Sequence, residues 1–131
     1  MTERIFHLVP STDIADFMAS RGAGWAPPSL ASEGFIHLSF GPQIAGTLDV
    51  HFASETEVLV VEVDRQSVAQ ALKVEISRGS KAFPHVYRAF ESEDLLRGWH
   101  LHRPTGGAWQ VPDFAAAWEA DAPQADWLPK R

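Results

Sequence analysis

The 131-residue sequence contains no cysteine. That absence excludes a disulfide framework, thiolate zinc sites, iron–sulfur clusters and a cysteine nucleophile. Basic residues are scarce as well: eleven Lys and Arg against seventeen Asp and Glu leave a formal net charge of −6. With no Lys/Arg cluster longer than two residues, an extended nucleic-acid footprint or an anionic-membrane patch is not expected. No apolar run approaches the ~20 residues of a membrane span, and the start Met-Thr-Glu-Arg has no basic-then-apolar leader. Also missing are a Walker motif, a G-x-G-x-x-G loop, and a G-x-S-x-G setting around Ser39 or Ser77. What is present suits a globular chain, with 45% apolar and 21% charged residues. The expectation is one soluble, cytoplasmic domain, monomeric or weakly dimeric, long enough to bury roughly two-thirds of its unfolded surface.

The pattern along the chain predicts an α+β fold. Arg4 to Val9 reads as a first strand closed by Pro10. Ser11-Thr12-Asp13 opens a short helix carrying Ile14, Phe17 and Met18, stopped at Gly22. Ala23 to Glu33, with Trp25, two prolines and two serines, reads as a loop. Phe35 to Phe40 is expected as one strand, and Pro42 starts a helix with Ile44, Leu48 and Phe52 on one face. The run Val58-Leu59-Val60-Val61 within Glu57 to Val63 is too apolar for an edge and predicts the central strand. Leu72 to Ile76 alternates as a half-buried strand. Phe83 to Arg88 is extended, Ser92 to Leu96 is a helical turn, and Trp99 to Arg103 is the last strand. Residues 1–103 then form the domain. Residues 104–131 form a Trp/Pro-rich appendage with a short helix over Pro112 to Ala120, docked through Trp109, Phe114, Trp118 and Trp127.

Of six histidines, His7, His37 and His85 each sit within an apolar strand segment. A buried imidazole must find hydrogen-bond partners or cost roughly 1–3 kcal/mol. A single such residue is well explained by the core; three on separate strands point to a shared site, as acid/base groups, ligand donors or metal ligands. No H-x-x-x-H or H-E-x-x-H pair pre-arranges a metal. His100-x-His102 places two imidazoles on one strand face, but no Glu follows nearby, so they read as solvated strand residues and no metal ligand is assigned. Glu62 and Asp64 share a face of the central strand, where a strand end reaching solvent explains them equally. Trp25, ahead of the proline-stiffened Pro27-Pro28-Ser29, offers a stacking wall to a planar ligand, with a packed surface loop as the alternative.

Ile5-Phe6-His7-Leu8-Val9-Pro10, Pro27-Pro28-Ser29-Leu30, Glu33-Gly34-Phe35-Ile36-His37-Leu38-Ser39, Glu62-Val63-Asp64 and Phe83-Pro84-His85-Val86-Tyr87 occur in this order. This series resembles the small bacterial domain of unknown function family numbered 952, over about residues 4–103. The resemblance implies a distant likeness to the ADP-ribosyltransferase-like superfamily and its NAD-dependent RNA 2′-phosphotransferase group. The fold it implies is a split sheet with two short helices around a cleft for NAD. Carried over by position, His7 and His37 become candidate catalytic residues, and Ser39, His85, Tyr87, Trp25 and Ser29 candidate ligand-binding residues. The late strand carries Arg97, His100, His102 and Arg103 and no matching Glu, whereas an oxocarbenium-like transition state needs nearby negative charge. Three readings follow: a NAD- or nucleotide-dependent group transferase, a non-catalytic module for a nucleotide or other small ligand, and a histidine-cluster metal-dependent hydrolase.

Overall fold

The computed structural model describes residues 3–116 and 123–129. In chain order the regular elements are β1 (Ile5–Pro10), α1 (Ile14–Ser20), α2 (Pro28–Glu33), β2 (Ile36–His37), β3 (Ser39–Phe40) and α3 (Ile44–His51). These are followed by β4 (Glu57–Val63), β5 (Leu72–Ile76), β6 (Ala82–Val86) and β7 (Leu95–His102). Two antiparallel sheets result, one ordered β3-β1-β4-β7 and the other β2-β6-β5. No helix among the described residues is long and apolar enough to cross a membrane.

β4 is an inner strand of the larger sheet, and its apolar run follows from burial on both faces. Val58 and Val60 pack into a cluster with Phe6, Leu8, Ile44, Leu48, Trp99 and Phe114. Leu59, Val61 and Val63 face a second cluster that holds Ile5, Val9, Phe17, Ile36, Phe90, Leu95 and Trp127. Each fully buried Val or Leu contributes roughly 1.5–3 kcal/mol, so this strand anchors both halves of the core. α1 stops at Arg21, which takes a left-handed conformation with φ 55°, followed by Gly22 at φ 75°. A Cβ on Gly22 would collide with Leu95, so the close approach of helix end to β7 needs a glycine there.

Several expectations from the sequence change; β7 begins at Leu95, inside the stretch read as a helical turn and four residues before the strand expected from Trp99. The stretch read as a loop over Ala23 to Glu33 contains α2, started by Pro28 in the first turn, where a missing N–H is not needed. There are accordingly three α-helices among the described residues, not two. The single strand expected over Phe35 to Phe40 is two, because the chain changes sheets at Leu38. Ile36 and His37 pair with Val86 and His85 of β6, whereas Ser39 and Phe40 pair with Phe6 and Ile5 of β1. At the crossing Leu38 N–H donates to Pro84 C=O at 3.0 Å. Pro84 has no N–H to offer on that side, so the ladder between β2 and β6 cannot continue beyond this bond. Strands that pass between sheets make such corners by bending.

In the final segment Trp127 is buried in the second cluster and Phe114 in the first, with Trp109 packed against the latter. Gly98 and Trp127 form an isolated antiparallel bridge. Residues 112–116 contain a turn and a bend at 114–116 and no helix, and the rest of the helix expected to Ala120, with Trp118, lies outside the described residues.

Candidate functional site

The change of sheets at Leu38 brings β1, β2 and β6 together, and with them the three strand histidines. His7, on β1, is buried. Its Nδ1–H donates to the carbonyl of His37 at 2.9 Å, and its Nε2 accepts the indole N–H of Trp25 at 3.1 Å. This pattern fixes one neutral tautomer, since a protonated ring could not accept from the indole. Burial is the main reason that its pKa is lowered to about 4; the bond to the His37 carbonyl opposes the shift, and the His37 charge adds to it. His7 therefore holds β1, the sheet-crossing segment and the Trp25 loop in register.

His37 is exposed by contrast, with 48% of its side chain accessible. Its Nε2 lies 3.2 Å from Oε1 of Glu33, four residues earlier at the end of α2. The rings of Phe35 and His85 pack edge-on against it at 4.8 and 5.2 Å. His85 is buried beside it, stacked on Phe35 at 4.0 Å, with Nδ1 on Glu75 Oε1 at 2.7 Å. Tyr87 donates its hydroxyl to the same carboxylate oxygen at 2.6 Å. The Tyr87 and His85 bonds hold Glu75 below the usual carboxylate range, and the Glu75 acceptor raises the Tyr87 phenol in return. Nε2 of His85 is buried without a hydrogen-bond partner.

A cleft of about 550 Å³ opens next to His37. Its walls come from β1 (His7, Leu8), α2 and the residue before it (Pro27, Pro28, Ser29, Glu33), the crossing segment (His37, Leu38, Ser39), α3 with the residue after it (Thr47, His51, Phe52), and Ser77 with Phe83. Of the residues singled out from the sequence, His7, His37, Ser39 and Ser29 meet in this cleft. His85 and Tyr87 stand one layer back, against His37 and Phe35, and Trp25 supports His7 from behind. Ser39 shares a 3.0 Å hydrogen bond with Thr47, and Ser29 donates to Phe35 C=O at 2.8 Å.

Sequence reasoning missed Glu33, Thr47 and His51 as lining residues. Glu33 was legible as the i−4 neighbour of His37 only if a helix ended between them; Thr47 and His51 share one face of α3 at i, i+4 spacing. The carboxylates Glu62 and Asp64 do not line the cleft. Glu62 is buried between Arg4 and Arg97, each at 3.3 Å, and burial raises its pKa against the pull of both arginines.

The chain as a whole is similar to solved structures and to one family. The crystal structure of protein CC0527 from Caulobacter crescentus is 27% identical and superposes with a TM-score of 0.70, covering 82% of this chain and 94% of that one. The solution NMR structure of CC0527 is 28% identical, with a TM-score of 0.69 over 88% of this chain and 98% of that one. No curated protein matches the chain. Residues 8–97 match the family described as "Protein of unknown function (DUF952)", and with more than half of its length matched, the chain belongs to that family.

Proposed function

We propose that the protein is a binding module for a compact, ring-bearing small ligand of nucleoside size, held in the cleft beside His37. The observation that carries this reading is the convergence of five chain segments on a concavity of about 550 Å³, within the usual range of small-molecule sites. Leu8, Pro27, Leu38, Phe52 and Phe83 offer apolar walls, and His37, Ser39 and Thr47 offer a few polar groups to fix orientation. Among the described lining residues there is no lysine or arginine to grip a diphosphate. That favours the nucleoside or nicotinamide portion of a nucleotide over its phosphates. His7, with both ring nitrogens committed within the fold, acts as a fixed floor rather than a proton carrier.

The Glu33–His37 pair supports a second reading, group transfer from NAD or a related nucleotide on an ADP-ribosyltransferase-like scaffold. A carboxylate 3.2 Å from an exposed imidazole can orient it as an acid or base, and it supplies the negative charge that the late strand does not.

Thermal-shift titrations with adenosine, nicotinamide, ADP-ribose and NAD separate the two. A ligand that binds only the folded state raises the melting temperature by mass action. Under the first reading adenosine or nicotinamide raises it, the shift is lost in His37→Ala, and NAD stays intact on prolonged incubation. Release of nicotinamide from NAD, abolished by Glu33→Gln, would establish transfer instead. No shift with any of the four, in a protein that melts cooperatively, would overturn both.

A further inference from the structure

We propose that Glu57, His100 and His102 form a binding site for one divalent transition-metal ion, of which zinc fits best. The site lies on the larger sheet and shares no residue with the cleft. Glu57 opens β4 and pairs directly with His102 on β7, and Leu59, two residues on, pairs with His100. Pleat alternation puts all three side chains on one face of neighbouring strands. Their ligand atoms lie within 4.8 Å of one another.

A carboxylate–imidazole hydrogen bond would by itself account for Glu57 and His100, whose Oε2 and Nε2 are 2.6 Å apart. The strand register also brings Nδ1 of His102 to 4.0 Å from the same oxygen and the two imidazole rings to 4.3 Å from each other. One cation would use all three ligand atoms at once. Ligands at about 2.0–2.2 Å from a tetrahedral zinc ion stand roughly 3.3–3.5 Å from each other. The 2.6 Å contact would open and the 4.0 Å contact close, each by less than about 1 Å, which rotation of surface side chains supplies. Two imidazoles and one carboxylate leave a fourth position for water, and nitrogen donors favour zinc, copper, nickel or iron over the oxygen-seeking magnesium and calcium. The surroundings fit a cation. Both oxygens of Asp126 accept the backbone N–H of His100, at 2.9 and 3.2 Å, fixing the strand under its imidazole and adding negative charge. The neighbouring Arg103 is turned elsewhere, to the carbonyls of Glu55, Phe52 and Gly107 and over the ring of Trp109.

The test is calorimetric titration of Zn²⁺ into the chelator-stripped full chain. One ion per chain is expected, with affinity reduced at least tenfold in Glu57→Gln, His100→Ala and His102→Ala, since even partners behind metal ligands are worth about 10–100-fold. Affinity should be unchanged in His37→Ala. In the unmutated protein, substoichiometric Ni²⁺ should broaden the NMR signals of residues 57, 100 and 102 first, a readout independent of whether the variants fold. Absence of binding, binding of equal strength in the three variants, or broadening centred on the cleft histidines would each overturn the proposal.

Discussion

The indole N–H of Trp25 donates to Nε2 of His7 at 3.1 Å, and this bond decides what His7 can do. With Nδ1–H already given to the His37 carbonyl, neither ring nitrogen is left for a ligand or a proton. The strand histidine that the sequence marks first is thus the one most firmly tied into the fold, while the exposed His37 carries the surface the cleft presents.

The low pKa of His7 predicts acid sensitivity. Its folded value of about 4 lies below the ordinary 6.5, so between those limits the unfolded chain binds a proton that the folded chain does not. Stability therefore rises with pH across that window and is lost as pH falls through it, by about 3 kcal/mol for this group. Urea melts from pH 7 to 4 should show this loss, and His7→Gln should flatten the pH slope. An unchanged slope in the variant would show that His7 does not stay neutral.

Trp25→Phe keeps an aromatic, though smaller, side chain and removes the donor, leaving buried Nε2 of His7 without its partner. A loss of roughly 1–3 kcal/mol is expected. In a double-mutant cycle the same change on a His7→Gln background should cost clearly less; equal costs would mean that the bond contributes nothing.

His37→Ala should leave stability within about 0.5 kcal/mol, because the side chain is half exposed and its Glu33 contact is a surface pair. A large drop in the denaturation midpoint would assign His37 to the core instead of the cleft.

Gly98 gives the docked tail a sharp test. A Cβ there would come within 2.8 Å of the Trp127 ring and 3.3 Å of Leu59, so Gly98→Ala should destabilise by about 1–3 kcal/mol. Trp127→Ala, which empties a site in the same cluster, should cost about 3–5 kcal/mol. If chemical denaturation finds both variants near wild type, the tail does not contribute to the core.

Asp94 is buried and joined to Arg88 by two bonds of 2.7 and 3.0 Å, with Ser67 and the Glu91 N–H donating as well. Burial opposes its charge, but the bonds from Arg88, Ser67 and Glu91 outweigh it and hold the carboxyl below its ordinary range. The stabilisation is present above the ordinary carboxylate range and is lost as pH falls through the lowered folded value. Asp94→Asn should cost about 2–3 kcal/mol at neutral pH by denaturant melts. A neutral outcome would show the network to be dispensable.

Much of the frame is legible from local pattern. The uninterrupted apolar run of β4 has to lie inside a sheet, because no other placement buries both of its faces. Ile14 and Phe17 specify the buried stripe of α1 in the same way, by helical spacing. α2 was hidden because two prolines and two serines look like a loop; Pro28 is in fact tolerated where a first helical turn needs no N–H.

Composition and periodicity by themselves determined an α+β domain, its inner strand and a set of strand histidines, since these depend on which residues can be buried together locally. Tertiary structure alone decided that the chain leaves one sheet for the other at Leu38, that both nitrogens of His7 are consumed, and that Glu57 comes to stand beside His100 and His102 from 43 residues earlier. Hydrogen-bond partners and the alignment of neighbouring strands are relations between distant segments, and no local spacing encodes them.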